Sequence, residues 1–313
     1  MITRITQAQA DDAAAEAARF WPELGRRWPW TRAADVAPVY LRAGELTVAL
    51  LRAFPAIQWS NQARWYRRDV RDTPAIIAMA SDALQDELRS LSLSGSASVA
   101  EGKHVHTLIY LVESGAPSAP DGPGAPSAPD GPGAPGAPGA PDSPGAAAAP
   151  EEQPVAKTLL ASTELDAPFY QAQLAHELLN CFCSTSWDGQ TLRSGVRQSS
   201  GARMADQTRG AALNDLLLDA MLVHFLPAVT SLQPADLFDG AQGPYWRIAR
   251  TLSARLRGVP ALPALFSAEP DTVERMERGM AVALDSADAA AQVDALVAAH
   301  DWQGLRRLIG EDD

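Results

Sequence analysis

The chain has 313 residues, 46% of them hydrophobic, and a formal net charge of −12. That is ample material for a core in one or two globular domains. The acidic balance, with no Lys/Arg-rich run, gives no electrostatic footprint for nucleic acid. No window reaches the roughly 18 apolar residues of a membrane span, and the N-terminus lacks an apolar signal core. Both cysteines, Cys181 and Cys183, form a C-x-C pair that on a helix diverges too far for a disulfide. Buried reduced thiols and a cytoplasmic location are expected.

Residues 5–90 read mostly as helix. RAADVAPVYLRAGELTVALLRAFPAI and TPAIIAMASDALQDELRSL carry apolar residues at three- and four-residue spacings, with Thr73-Pro74 as a start. HVHTLIYLVES (104–114) and VAKTLLASTEL (155–165) are rich in β-branched residues and predict neighbouring strands of one sheet. Between them lies a Pro/Gly/Ala-rich insert, 115–153, in which GAPSAPDGP occurs twice in succession. It has no core-forming residue and reads as a disordered connection inside a domain. Asp166-Ala167-Pro168 predicts a helix start, with helix through Phe182. GQTLRSGVRQSSGAR reads as loop and short strand. Helix resumes over 208–226 and stops at Pro227, and the tail from Tyr245 predicts three or four helices. The fold class is therefore α+β, mostly helical with a small sheet. Its segments are 1–95 (helical), 96–270 (core with the insert) and 271–313 (helices).

Two stretches carry chemistry. AQLAHELLNCF places His176 and Glu177 on one helix, with Asn180 four residues after the histidine. In an HExxH helix, imidazoles at i and i+4 share a face and bind zinc, while the intervening Glu takes a proton from the bound water. GAALNDLLLDAM places Asp215 and Asp219 one turn apart on a second helix.

In order along the chain stand a strand, HVHTLIYLVES, the helix QLAHELLNCF, the turn LRSGV, the helix GAALNDLLLDAM and the tail PYWRIARTLSARLRGVPALPALFSAEP. This set resembles the gluzincin branch of the zincin metallopeptidases, in its compact, minimal members, over residues 104–270. The resemblance implies a zincin-like fold and an edge strand that binds extended peptide. It matches His176 to the first zinc ligand, Glu177 to the general base, Asn180 to the second ligand position and Asp215 to the third-ligand Glu. Asp219 matches the acid that orients a ligand histidine. Asn180 offers only a neutral amide oxygen, and Asp215 is one methylene shorter than Glu. The expectation is weak or absent zinc and a peptide- or protein-binding pseudo-peptidase without nucleic-acid or membrane partners.

Two other readings stay open: an active zinc peptidase with an unusual ligand set, and an unrelated helical interaction protein. In the last, His176-Glu177 is a satisfied polar pair and Asp215/Asp219 a solvated stripe. Of the residues that could replace a ligand, His104 and His106 share a strand face. His224 lies near the opposite face of its helix, and Cys183 lies two turns from His176.

Overall fold

The computed structural model describes residues 33–62, 75–93, 103–111, 155–201, 204, 208–230, 232–240, 242–269 and 271–311. The insert and residues 1–32 lie outside them, so the expectations for those stretches are not addressed by the described residues. The elements in chain order are α1 (Ala33–Ala53), a 3₁₀ turn (Pro55–Trp59), β1 (Ala75–Met79), α2 (Ser81–Leu93), β2 (Val105–Leu111) and β3 (Val155–Ser162). Then come α3 (Tyr170–Phe182), β4 (Thr185–Trp187), β5 (Leu192–Ser194), β6 (Arg197–Ser199) and α4 (Ala211–Val229). The chain continues with α5 (Pro234–Phe238), α6 (Gly243–Arg255), α7 (Ala261–Phe266), α8 (Thr272–Ala283), α9 (Ala289–Ala298) and α10 (Trp302–Leu308). The class is α+β.

The expected helix from Thr73 is instead a strand followed by a helix. Ala-Ile-Ile-Ala-Met is a short apolar run with Ile76 to Met79 all buried, and a run of that length suits a covered strand as well as a helix. β1 pairs in parallel with β3, and β2 pairs antiparallel with β3 on the other side. The order β1-β3-β2 makes β3 central and β2 an outer strand. The expected adjacency of 104–114 and 155–165 is present. A second, three-stranded antiparallel sheet, β4-β5-β6, fills the segment between α3 and α4.

α3 packs on β2 and β3 on one side and on α1 and α4 on the other. α4 in turn packs against α6 and α9. Contrary to the expectation that no window reaches the apolarity of a membrane span, its window Ala211–Ala228 is long and apolar enough to cross one, yet 67% of it is buried in the protein, as in the central helix of a folded core. Pro227 does not end α4 but sits in its last turn, where its ring displaces one hydrogen bond near a terminus that is losing them anyway. The tail from Gly243 holds five helices rather than three or four, because Gly258, Pro260 and the turns at Asp285 and His300 divide it.

Lys157 ties these layers together. Its ammonium is buried and donates to Asn180 O (2.7 Å), Cys183 O (2.8 Å) and Ser194 Oγ (2.8 Å). Two of those acceptors are carbonyls at the C-terminal end of α3, where a helix favours a cation. Burial lowers the Lys157 pKa from 10.5 to about 8. One side chain of the central strand thus fixes where the helix bearing His176 and Glu177 ends.

Candidate functional site

α3 and α4 bring all five predicted site residues into one polar cluster. Asp219 on α4 accepts from the His176 ring, with Oδ1 2.8 Å from Nδ1. Its other oxygen accepts from the Tyr245 hydroxyl of α6 at 2.5 Å. This leaves His176 Nε2 facing Asp215 Oδ1 at 3.5 Å. Burial alone works against the imidazolium, but carboxylates at both ring nitrogens raise the His176 pKa well above its ordinary value. Burial and Asp219 together push the Tyr245 phenol up.

Glu177 is buried and faces β2. Lys103 Nζ stands 3.6 Å from Oε1, and Asn180 Nδ2 donates to Oε2 at 3.3 Å. Burial raises a carboxylic acid's pKa, yet the charge of Lys103, aided by His176 and His106, holds Glu177 below the ordinary value. Thr107 of β2 donates to the backbone carbonyl of Glu177 at 3.2 Å, fixing the helix against the strand. Asn180, which the resemblance matches to the second ligand position, has its amide nitrogen used by Glu177. Its Oδ1 is buried without a hydrogen-bond partner among the described residues.

Sequence reasoning missed Arg197. Its guanidinium, 7% exposed, pairs with Asp215 Oδ1, the same oxygen that faces His176. Burial opposes the Asp215 charge, and Arg197 with His176 outweighs it, so the carboxyl stays well below the ordinary range. The sequence signal was the LRSGV turn, which sets Arg197 in place. Gly195 has φ +58, and a Cβ there would lie 2.4 Å from Asn214 Oδ1. That amide oxygen accepts from Val196 N at 3.2 Å. Asn214 therefore docks the β5–β6 turn onto α4 beside Asp215.

The resemblance implies zinc, and the donor set does not fit it. Zinc is held by imidazole, thiolate and carboxylate at about 2.0–2.3 Å in a closed tetrahedron or with one open position. Here one imidazole and one carboxylate face each other, the carboxylate oxygen already carries a buried guanidinium, and the third position is an amide. Asn180 Oδ1 is buried without a hydrogen-bond partner among the described residues, and a neutral amide is a poor zinc donor. No group of three or more His, Cys, Asp or Glu side chains is disposed to hold a metal among the described residues. Glu177 is met by Lys103 and Asn180, Asp215 by Arg197, and Asp219 by His176 and Tyr245, so each carboxylate already has its partner within the protein.

The other candidates fall outside this cluster or at its rim. His106 is buried on β2 near Glu177. His104 is beside Glu164 and the Tyr170 ring. His224 is exposed on α4. Cys181 and Cys183 are free and buried, and burial pushes the Cys181 thiol up to about 12.

β2 is an outer strand, but its whole length is buried. Met204 N donates to Ile109 O at 3.0 Å, and its side chain joins Ile109, Leu111 and Leu192 in a small apolar cluster. Ile109 therefore turns its backbone carbonyl away from β3, and the two-residue alternation of a strand turns those of Val105 and Thr107 the same way.

Comparison with protein-family models, with curated proteins and with solved structures returns no match for this chain.

Proposed function

We propose that the protein is a zincin-type metallopeptidase relative whose site no longer runs on metal, and that it binds an extended peptide or partner segment alongside β2. The observation that carries this reading is the state of Glu177. In the expected role it takes a proton from a water. Here both its oxygens are committed, one to Lys103 and one to Asn180, at the foot of an outer strand. The binding part rests on the edge strand that the resemblance implies: Val105 and Thr107 turn backbone groups away from β3, and although both residues are buried in the free chain, an extended peptide that displaces what covers them adds by main-chain hydrogen bonds. Met204 already takes the Ile109 carbonyl, so the peptide pairs N-terminal to it. The buried thiols suit a reducing cytoplasm, where we place the protein.

A displayed library of ten-residue peptides tests the reading on the full chain. Recovered peptides are expected to bind equally well in EDTA and to Glu177→Gln. They are expected to lose affinity for folded Thr107→Pro, which removes an outward N–H. One observation favours a second reading, an active peptidase: Asp219 orients His176 through Nδ1 and leaves Nε2 toward Asp215, as a carboxylate orients a ligating histidine. Zinc-dependent cleavage of the recovered peptides, abolished in Glu177→Gln, would replace the first reading with the second.

A further inference from the structure

We infer that Arg197 is the residue that closes this site to metal, its guanidinium taking the place of the cation between α3 and α4. The inference rests on the zincin-derived reading above and goes beyond the loss of ligands to name what replaced them.

Position is the first argument. A metal shared by His176 and Asp215 has to reach the imidazole Nε2 and the carboxylate oxygen facing it. That oxygen, Asp215 Oδ1, is the one Arg197 holds. Rigidity is the second. Arg197 begins β6 and follows a turn gripped from several sides. Gly195 N donates to Ser184 O at 2.9 Å, Val196 N donates to Asn214, and Gln198 N donates to Arg209 O at 2.9 Å. Gly210, at φ +76, lies so close under Val196 that a Cβ there would come within 2.5 Å of its carbonyl oxygen. The guanidinium is thus held in place from its backbone and is not a surface side chain free to swing aside. Charge is the third. A guanidinium stays protonated in proteins. Beside a guanidinium that is only 7% exposed, a divalent ion is repelled more strongly than in water, even with the Asp215 side chain 40% exposed.

Restoring the second histidine is therefore insufficient, and the arginine charge has to go as well. The test uses the full-length chain as Asn180→His alone and combined with Arg197→Gln, Arg197→Met or Arg197→Lys, each checked for cooperative thermal unfolding. Zinc is the probe, read as metal content by elemental analysis and as affinity by competition with a chromophoric chelator. Asn180→His with Arg197→Gln is expected to hold about one zinc per chain, at least about tenfold more tightly than Asn180→His alone. Arg197→Met gives the same neutral test with the apolar stem retained, should Gln fail to fold. Arg197→Lys keeps the charge and is expected to bind no better than Asn180→His alone. Equal zinc affinity in Asn180→His with and without Arg197 overturns the inference but keeps the zincin geometry. So does equal gain from Lys and Gln, which would make the effect one of shape. Absence of zinc from every folded variant overturns the inference and the zincin-derived reading together.

Discussion

Asp219 holds two groups at once, the His176 ring at 2.8 Å and the Tyr245 hydroxyl at 2.5 Å. A charged acceptor with two buried donors is worth more than an ordinary hydrogen bond, and losing it strands both donors. Asp219→Asn is expected to lower the unfolding free energy in urea by about 2–3 kcal/mol, and Tyr245→Phe by about 1 kcal/mol. Indistinguishable, near-zero losses would show that water satisfies these groups. Lys157 carries a pH signature. The unfolded chain keeps that proton up to the ordinary value of 10.5, the folded chain only to about 8. Between those values the unfolded state holds the extra proton, so raising the pH favours folding. Wild type is expected to gain stability over Lys157→Met by about 1.4 kcal/mol per pH unit across that window, and nothing below it. Urea unfolding of both proteins from pH 7 to 10.5 measures this, and a constant difference would sink it. Residues with partners at helical spacing were legible in the sequence: His176, Glu177, Asp215 and Asp219 all meet in one cluster. Lys103, Arg197 and Tyr245 were not, because each reaches the cluster from a separate element and leaves no local spacing to read.

At the level of elements, α4 shows why boundaries escaped the sequence. Its N-cap is Gly210 in the left-handed region, with no side-chain cap of its own. The cap comes from Asp294 on α9, whose two oxygens accept from Gly210 N and Leu213 N, each at 2.9 Å. A carboxylate at a helix N-terminus satisfies orphan donors and meets the positive end of the dipole. Asp294→Ala is expected to cost about 1–2 kcal/mol by urea unfolding. An unchanged midpoint would mean that water replaces the cap without loss. A start signal sought before residue 211 could not find a residue more than eighty positions later. β1 escaped for the opposite reason. Its five residues follow Thr73-Pro74 and precede a real amphipathic helix, so their period was absorbed into that of α2. β2 and β3 were legible because their β-branched runs have no helical period and are framed by the insert.

Across the whole molecule, one buried cluster runs from Val39 on α1 through α3, α4 and α6 to Ile309 after α10. The helices beyond residue 271 therefore belong to the same core as the polar cluster and supply the α4 cap. The insert stands in a different relation to that core. β2 ends at Leu111, β3 begins at Val155, and these two residues are cross-strand partners in an antiparallel pair. Such a pair needs only a short hairpin loop to join it. The sequence repeats of 115–153 add loop length without apolar residues to bury, and closing a longer loop costs about 0.6 kcal/mol per doubling. Replacing residues 112–154 by a Gly-containing turn of about four residues shortens the connection roughly tenfold. It is expected to raise the unfolding free energy by about 2 kcal/mol with cooperativity retained. The register of β2 on β3, and with it the position of Thr107 against Glu177, is set by pairing along the strands rather than by the connection. Hydrogen exchange at β2 and β3 should therefore slow in proportion to the added stability. Loss of cooperative unfolding in the shortened protein would show instead that residues 112–154 contribute contacts to the core.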